Sequence, residues 1–290
     1  MAENLIFFRR RVRSVRNTQK ITRAMKTVAA VKLRRANTEL NRTLAAHRQI
    51  VDFLRTLSPY LDPQHHPLLR ARESGVRLLV GISADKGLCG SFNSRLLKAV
   101  DDRVGEWQRS GVEFQLIAVG NKIARYLAKR NIPVRQAYPA VMNRPTFSQA
   151  AQLADFLLKV YSEEPIESVA VVFTEFVSAA RQQVTQRALL PLTPEWGVRE
   201  MEAKEQIIFE PDPVAISATL IPRYLRSLVW RMLLESAASE QAARMVAMDQ
   251  ATQNASDMIH SLTLTMNKMR QAAITKELLE IITATEALNK

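Results

Sequence analysis

The sequence is poor in residues that form covalent links or break helices. It has a single cysteine, Cys89, which excludes an internal disulfide and a zinc site built from several cysteines, and which fits a reducing compartment. Glycine occurs only 8 times in 290 residues, and aromatic residues make up 6%, a composition that favours helix. No window approaches the roughly 20 consecutive apolar residues that a membrane-spanning helix needs.

The few helix-breaking residues are confined to the middle of the chain. All glycines lie between Gly75 and Gly197, and all 12 prolines lie between Pro59 and Pro222. Inside a helix these residues cost about 1 and about 3 kcal/mol relative to alanine. Two long helices flanking a compact domain are therefore predicted, and helices of such length need lateral support from each other. The predicted segments are an N-terminal helix, an inserted domain and a C-terminal helix, at 1–58, 59–212 and 213–290.

Apolar spacing indicates that the two ends pair with each other. In the C-terminal end, small or apolar residues alternate at spacings of four and three, which is typical of a coiled-coil seam. The residues of this seam are Ala255, Ile259, Leu262, Met266, Met269 and Ala273. The N-terminal end shows two stripes slightly out of phase: Ile21, Met25 and Val28, then Leu33, Ala36, Leu40 and Leu44. We predict a long antiparallel two-helix coiled coil with an inserted Rossmann-like α/β domain; the alternative is two unrelated helices packed on that domain.

Strands and helices alternate in the middle of the chain, which predicts a mostly parallel sheet. The predicted strands lie at 77–83, 114–119 and 133–136, with an antiparallel pair at 169–177 and 183–190. The predicted helices lie near 92–109, 122–130 and 148–161.

The basic charge is concentrated at the N-terminal end. The chain has a net charge of +13, and residues 1–58 hold 14 Lys and Arg against 3 Asp and Glu. Five of these form a stripe at helical spacing: Arg9, Arg13, Arg16, Lys20 and Arg23. Three interpretations remain open from charge alone: binding to nucleic-acid phosphates, an organelle presequence, or contact with an acidic protein partner. No aromatic residues interleave the stripe, so stacking on bases is unsupported.

A loop at 83–91 and the C-terminal tip raise two further questions. The loop follows a strand and opens a helix, as phosphate-binding loops do, but its spacing matches no nucleotide-binding motif, so a structural turn is the favoured interpretation. Cys89 in this loop has no histidine near it in sequence and is predicted to be a buried packing residue rather than a reactive thiol. The tip, 274–290, is apolar on more than one flank, with Leu278, Leu279, Ile281 and Ile282. Either another protein encloses it or it packs on the N-terminal helix.

Five segments, in order along the chain, resemble the gamma subunit of rotary F-type ATP synthase. The first, Asn17–Ala36, reads NTQKITRAMKTVAAVKLRRA and is similar to the N-terminal signature of that family. The others are DKGLCG at 85–90, EPDP at 210–213, SEQAARMVAM at 239–248 and RQAAITKEL at 270–278.

The resemblance implies a central rotor stalk that is not itself an enzyme and has no cofactor. The implied partners are a ring of alternating alpha and beta subunits, which hold the nucleotide sites, the epsilon subunit, and the membrane ring of c subunits. No nucleic acid and no membrane span of its own are expected. Since the signature begins almost at Met1, little room is left for a presequence, and a peripheral position on the cytoplasmic face of a bacterial plasma membrane is expected.

The resemblance also assigns contact residues, none of them an acid, base or nucleophile. Contacts to the alpha and beta subunits are expected from Met25, Lys26, Arg244, Arg270, Gln271 and Thr275. Contacts of the foot to epsilon and the c-ring are expected from Phe209 and Glu210. Two rival functions remain at this stage. A basic coiled-coil protein would bind nucleic acid in a salt-dependent way, and an enzyme would bind a small ligand at the loop of 85–91.

Overall fold

The computed structural model describes residues 2–60, 66–193 and 209–288. The N-terminal helix α1 spans Ala2–Leu57 and continues into a 3-10 turn at Ser58–Tyr60, and the C-terminal helix α5 spans Pro213–Leu288. Between them lie β1 (Val76–Ile82), α2 (Phe92–Arg109), β2 (Phe114–Val119), α3 (Asn121–Lys129), β3 (Gln136–Tyr138), α4 (Phe147–Glu163), β4 (Ile166–Phe176) and β5 (Gln182–Leu190). The predicted fold class, long helices at the chain ends around an α/β sheet, is confirmed.

The five strands form one sheet in the order β3-β2-β1-β4-β5. β1 pairs in parallel with β2 and β4, β2 pairs in parallel with β3, and only β4 and β5 are antiparallel. Leu79 in the central strand is flanked by Leu116 and Ala170. The sheet is therefore mostly parallel, as predicted, with its most buried strand in the middle.

Helices cover both faces of the sheet. On one face, Leu79 and Leu116 of the strands pack with Leu96 of α2 and Ile123 of α3. The opposite face packs against α4 and against parts of both long helices. Its cluster includes Leu78, Val80, Ile117, Leu157, Leu54 and Leu225.

Contacts divide the chain into two compact units. The first, here called the helix-pair unit, comprises Met1–Ala29 and Met245–Lys290, and the second, the sheet unit, comprises Ala30–Arg244. Both long helices contribute to both units, so the unit boundaries lie within helices. The division of the sequence at 58/59 and 212/213 stays a prediction.

In the helix-pair unit, α1 and α5 run antiparallel. Thr22 lies beside Thr252, and Lys26, further along α1, lies beside Asp249, earlier on α5. The predicted C-terminal seam is confirmed by burial, because Ala255 is buried and the next five seam residues are half-buried while most of their neighbours are exposed. Those five are Ile259, Leu262, Met266, Met269 and Ala273.

The N-terminal seam differs from the prediction. Ile21 and Val28 are 60% and 56% exposed, so the stripe drawn through them is wrong. The buried face instead follows one heptad register along α1, occupied by Val12, Thr22, Ala29, Leu33, Leu40, Thr43, His47, Leu54 and Leu57. Polar residues at three of these positions hide the register from a search for apolar residues, which explains the apparent change of phase.

Two prolines stand out among the observed elements. β3 begins at Gln136 and not at 133, because Pro133 has no N–H to donate and pairing with β2 starts at Arg135, whose N–H donates to the Leu116 carbonyl at 2.8 Å. Pro222 lies inside α5 although proline disfavours a helix interior. Its neighbours Ile221 and Tyr224 are almost fully buried, so packing outweighs that cost.

Candidate contact surfaces

Three predicted contact residues lie on an exposed part of α5 in the helix-pair unit. Arg270, Gln271 and Thr275 are all exposed, and the Thr275 hydroxyl donates only to the Gln271 carbonyl of its own helix, at 3.0 Å. The side chains of Arg270 and Gln271 make no hydrogen bond or ion pair with other described residues in the structure. The structure thus leaves these polar groups available to another molecule.

An apolar tip follows directly on the same helix. It consists of Ile274, Leu278, Leu279, Ile281 and Ile282, which are between 47% and 63% exposed. The alternative that the tip packs on the N-terminal helix is wrong for these side chains. Contiguous exposed apolar side chains of this kind mark an interaction surface.

Met25 and Lys26 occupy the edge of the helix pair. Both are half-buried, and the Lys26 ammonium pairs with Asp249 at 2.6 Å. Next to this pair the Thr22 and Thr252 hydroxyls lie 2.8 Å apart. Lys26 therefore already has a partner within the chain, while part of its side chain remains open to solvent.

The basic stripe lies on the surface of α1. Its five members, Arg9, Arg13, Arg16, Lys20 and Arg23, are all exposed. Each of them follows, by one residue, a position of the heptad register that contains Val12 and Thr22. The stripe therefore runs along one flank of that register from Arg9 to Arg23. It presents a row of positive charge without aromatic residues between the charges.

Arg244 is placed differently from the other predicted contact residues. It lies in the sheet unit with 9% of its surface exposed, and its guanidinium pairs with Glu240 at 2.6 Å. The same group donates to the Gly87 carbonyl at 3.2 Å. The structure shows Arg244 binding its own chain.

The two predicted foot residues lie just before α5. The Phe209 ring contacts Tyr60 edge-on at a centroid distance of 4.9 Å, and Glu210 is exposed. Asp212 caps the start of α5, since its carboxylate accepts from the Ala215 N–H at 2.9 Å. The segment before α5 thus combines the Phe209 ring, which is held against Tyr60, with the exposed carboxylate of Glu210.

The loop of residues 84–91 is held by its own polar contacts. The Asp85 carboxylate accepts three backbone N–H groups: Asn121 at 3.0 Å, Ala140 at 3.1 Å and Asn143 at 2.8 Å. Asn121 is the first residue of α3, so the loop that leads into α2 is held against the start of a neighbouring helix by its own carboxylate. This supports the structural turn over the phosphate site.

Cys89 is a buried packing residue, as predicted. Its exposure is 1%, and it packs with Ala84, Phe92 and Ala243. Burial raises the pKa of the thiol, and the nearby Arg244 guanidinium opposes that rise only in part. A thiol in this setting is not activated as a nucleophile.

Sequence reasoning missed several polar residues that organise the two units. Two of the buried polar residues of the α1 seam, Thr22 and His47, and the Asp85 carboxylate were not singled out. His47 Nδ1 lies 3.0 Å from the Ser227 hydroxyl of α5 and stacks on Tyr224. A heptad register extended through polar positions would have found the first two, but Asp85 gave no local signal, because its partners are backbone groups 36 to 58 residues away.

Two kinds of feature are absent from the described residues. None of the helices there combines the length and the hydropathy that crossing a bilayer requires. In the same ranges, no three His, Cys, Asp or Glu residues gather in a way that could hold a metal ion.

The chain matches known sequences over nearly its full length. A family model described as ATP synthase matches residues 4–288. The ATP synthase gamma chain of Nostoc punctiforme is 38% identical, over 98% of this chain and 99% of the relative.

Solved structures have a similar fold. The rotor of the Euglena gracilis mitochondrial ATP synthase aligns with a TM-score of 0.64 over 94% of this chain and 100% of its own, at 19% identity. The central stalk and c-ring structure of the Tetrahymena thermophila mitochondrial enzyme aligns with a TM-score of 0.59 over 80% and 99%, at 28% identity. Nothing in these comparisons supports a nucleic-acid-binding protein.

Proposed function

Because the chain belongs to the family of ATP synthase gamma chains, we propose that it turns as the central rotor of an ATP synthase and couples ion flow through a membrane c-ring to catalysis. It is a non-catalytic subunit, and the catalytic sites lie on beta subunits. Its partners in this role are the alpha and beta subunits, the epsilon subunit and the c-ring.

A rotor acts through contacts that differ between the conformations of its neighbours. To move one catalytic subunit from 1:99 to 99:1 between two conformations, differential contacts of about 5.5 kcal/mol are needed. A pair of different helices presents unlike surfaces in different directions: a basic stripe on α1, and Arg270 with the apolar tip on α5. Rotation exchanges the surface that each neighbour meets, and so exchanges their conformations.

The observation that carries this proposal is the uncovered apolar tip beside exposed polar groups. Ile281 and Ile282 are more than half exposed, and so are Leu278 and Leu279 on the same stretch of helix. Apolar side chains form few directional bonds, so a nonpolar sleeve around the tip would let it turn with low barriers. Arg270, Gln271 and Thr275, one to three turns away, are the proposed directional contacts to the alpha and beta subunits, and Met25 with Lys26 contributes from α1.

Arg244 is also among the proposed contacts to the ring, but it would have to reach a partner from its buried pair with Glu240. Phe209 and Glu210 are the proposed contacts of the foot with epsilon and the c-ring, supported by the exposed carboxylate beside an anchored ring. A peripheral position on the cytoplasmic face of a bacterial membrane is proposed as well, supported by the bacterial relatives.

Reconstitution with partner subunits tests the function. The chain is mixed with alpha and beta subunits, and ATP hydrolysis and co-purification of the three proteins are measured. We expect the full chain to form an active complex, and a variant lacking 270–290 to lose both complex and activity. Failure of the full chain to join the two subunits, or strong salt-dependent binding to DNA instead, would contradict the proposal.

A triple substitution separates contact from folding. Arg270→Ala, Gln271→Ala and Thr275→Ala together remove only exposed groups, so the isolated chain should keep its helix content and unfolding midpoint while the complex loses activity. Lys159→Ala with Glu163→Ala is the matched control, because these residues form an exposed pair on α4 at 4.0 Å. Equal activity of the two variants would remove Arg270, Gln271 and Thr275 from the contact surface.

A further inference from the structure

A chain of polar contacts joins both long helices to the sheet within the sheet unit. Lys32 of α1 donates to the Asn143 side chain at 3.1 Å, and the Asn143 N–H donates to Asp85 at 2.8 Å. Asp85 opens the loop whose Gly87 carbonyl accepts from Arg244 of α5 at 3.2 Å. The chain of contacts thus runs from one helix through the loop to the other.

The part of this chain of contacts that lies on α5 is buried. The side chains of Arg244 and Glu240 are 11% and 4% exposed, and one Glu240 oxygen has no hydrogen-bond partner among the described residues. Burial raises the pKa of Glu240, while the charges of Arg244 and Lys32 act in the opposite direction and Asp85 adds to the rise. A buried ion pair of this kind contributes little net stability but strongly fixes geometry, because removing one partner leaves an uncompensated charge.

The loop is equally constrained on its other side. Asp85 holds three backbone N–H groups from two segments, and the Ala84 N–H donates to Asn93 at 3.1 Å. The loop therefore cannot move without breaking several charge-assisted hydrogen bonds. The carboxyl ends of parallel strands, where open α/β sheets usually bind ligands, are used here to grip two helices.

We propose that Asp85, Arg244 and Lys32 form a polar collar that makes α1, α5 and the sheet of this unit turn as one body, and that the collar is required for rotation to be coupled to ion transport. In this role they are positioning residues, because they act through the helices that they hold. For Arg244 this role is additional to its proposed contact with the ring, and a cross-link that restores coupling without the guanidinium separates the two. The proposal rests on the proposed function as a rotor, and it goes beyond contacts with partners by assigning a mechanical role to the inside of the chain.

Hydrogen exchange on the isolated chain is the first test. In an Asp85→Asn variant the Asn121, Ala140 and Asn143 N–H groups lose a charged acceptor, and their protection should fall about tenfold to a hundredfold. Unchanged protection at these three amides would overturn the collar. This measurement does not depend on any partner, so it stands even if the function as a rotor fails.

Ion transport per ATP hydrolysed is the second test, in the reconstituted complex with its membrane ring. A double variant, Arg244→Met with Glu240→Gln, opens the collar without leaving a buried charge unpaired. We expect most of the transport per ATP to be lost. Arg103→Met is the control, since the Arg103 guanidinium bonds Gln186 of β5 at 2.7 Å and pairs with Glu106 of its own helix at 2.9 Å, and it should keep the ratio of the unaltered chain.

A reversible cross-link provides the rescue. Ala243 packs against the cluster that contains Cys89, the only cysteine in the sequence, so Ala243→Cys adds a second thiol for one disulfide between the loop and α5, whose formation is checked by the loss of both free thiols. Added to the double variant, it should restore coupling when oxidised and lose it again on reduction. If the double variant does not fold, Arg244→Lys decides by the same ratio, because the lysine side chain is one atom shorter and cannot place its nitrogen where the guanidinium contacts Glu240 and Gly87.

The outcomes separate the two proposals. Full coupling in the reduced double variant, or in Arg244→Lys, overturns the collar while leaving the function as a rotor intact. An unaltered chain that forms no active complex overturns the function as a rotor.

Discussion

Helix α5 is enclosed along an interior stretch and bare at its C-terminal end, although both stretches are rich in apolar and small residues. Every residue from Met232 to Ala242 is buried in the sheet unit, whereas no side chain described from Ile274 onwards in the helix-pair unit is buried. Composition does not explain this contrast. It arises from what surrounds each stretch, namely a sheet and several helices in one case and no other described part of the chain in the other. The bare end therefore shows where the molecule relies on something outside itself.

The two units also differ in what holds their helices together. In the sheet unit the facing side chains include Leu54 and Leu225, which are fully buried. In the helix-pair unit the contacts include a threonine pair and an exposed ion pair, Lys26 with Asp249. Apolar burial is the larger stabilising effect, so stability should be concentrated in the sheet unit.

The largest expected effect comes from the same substitution made at a buried and at an exposed position of α5. Leu225→Ala removes a side chain with no exposed surface and should lower the free energy of unfolding by about 2–5 kcal/mol. Leu278→Ala, at a site 55% exposed, should stay within about 0.5 kcal/mol in the isolated chain. Urea unfolding followed by circular dichroism measures both.

Both sites lie in the same helix and both variants replace leucine by alanine. The change in helix propensity is therefore the same at the two sites. Equal losses at the two sites would mean that the tip is covered in solution, for instance by a second copy of the chain. In that case the midpoint of Leu278→Ala would depend on protein concentration.

The sequence predicted the fold well because helix breakers and strand alternation are local signals. The bounds of α2 were predicted to the residue, and those of α3 and β2 within one residue. β3 was misplaced because Pro133 shifted the start of pairing. The α1 seam was misdrawn at Ile21 and Val28, since a heptad position held by threonine or histidine carries no apolar signal.

The contact surfaces were less predictable. Exposure of Arg270, Gln271 and Thr275 agrees with a role in binding partners, but their assignment came from resemblance to a family, and they stay a prediction. Arg244 shows why a motif position does not give geometry: it lies in a buried ion pair whose loop partner, Gly87, is 157 residues away in sequence. Such long-range polar contacts leave no pattern in one sequence.

Buried and exposed carboxyl groups of the sheet unit should respond to pH in opposite ways. Burial raises the pKa of Glu235, although Arg231 opposes the rise, whereas the hydrogen bond from Arg135 lowers the pKa of exposed Glu164. A raised pKa means that the folded chain binds the proton more tightly, so Glu235 costs stability as the pH rises from its ordinary value through the folded value. Glu164 contributes stability above its ordinary value, which is lost as the pH falls through its lowered folded value.

Carbon-detected NMR titration of the two side chains checks the direction of each shift. The difference in unfolding free energy between the unaltered chain and Glu235→Gln should become less favourable to the unaltered chain as the pH rises. For Glu164→Gln, the same difference should become more favourable to the unaltered chain as the pH rises. This change should occur at lower pH than the change for Glu235→Gln. Parallel trends for the two variants would contradict the assignment of burial and pairing.

The threonine pair of the helix-pair unit should have a smaller effect. Thr22→Val removes one of two hydroxyls that lie 2.8 Å apart, while Thr252 keeps the Met248 carbonyl as an acceptor at 2.7 Å. We expect a loss of about 0.5–1.5 kcal/mol in the unfolding free energy. Thr22→Val with Thr252→Val should lose less than the two single variants added together, since each single variant already loses the one contact between the two hydroxyls. A strictly additive result would show that the two hydroxyls do not interact.

The smallest effect is expected from the ion pair beside it. Lys26 and Asp249 are 42% and 59% exposed, so solvent and salt screen their attraction, and Lys26→Ala should cost only about 0.2–1 kcal/mol. The less exposed pair of the sheet unit, Arg77 with Glu167 at 35% and 21%, is the matched comparison. The free energy of unfolding is measured at low and at high salt. Raising the salt concentration should weaken the contribution of Lys26 more than that of Arg77, because salt screens exposed charges more effectively. Exchanging the charges, with Lys26→Asp and Asp249→Lys, should recover most of the small loss. If the exchange fails while the salt dependence persists, Lys26 stabilises the helix pair through its packed methylene stem and not through its charge.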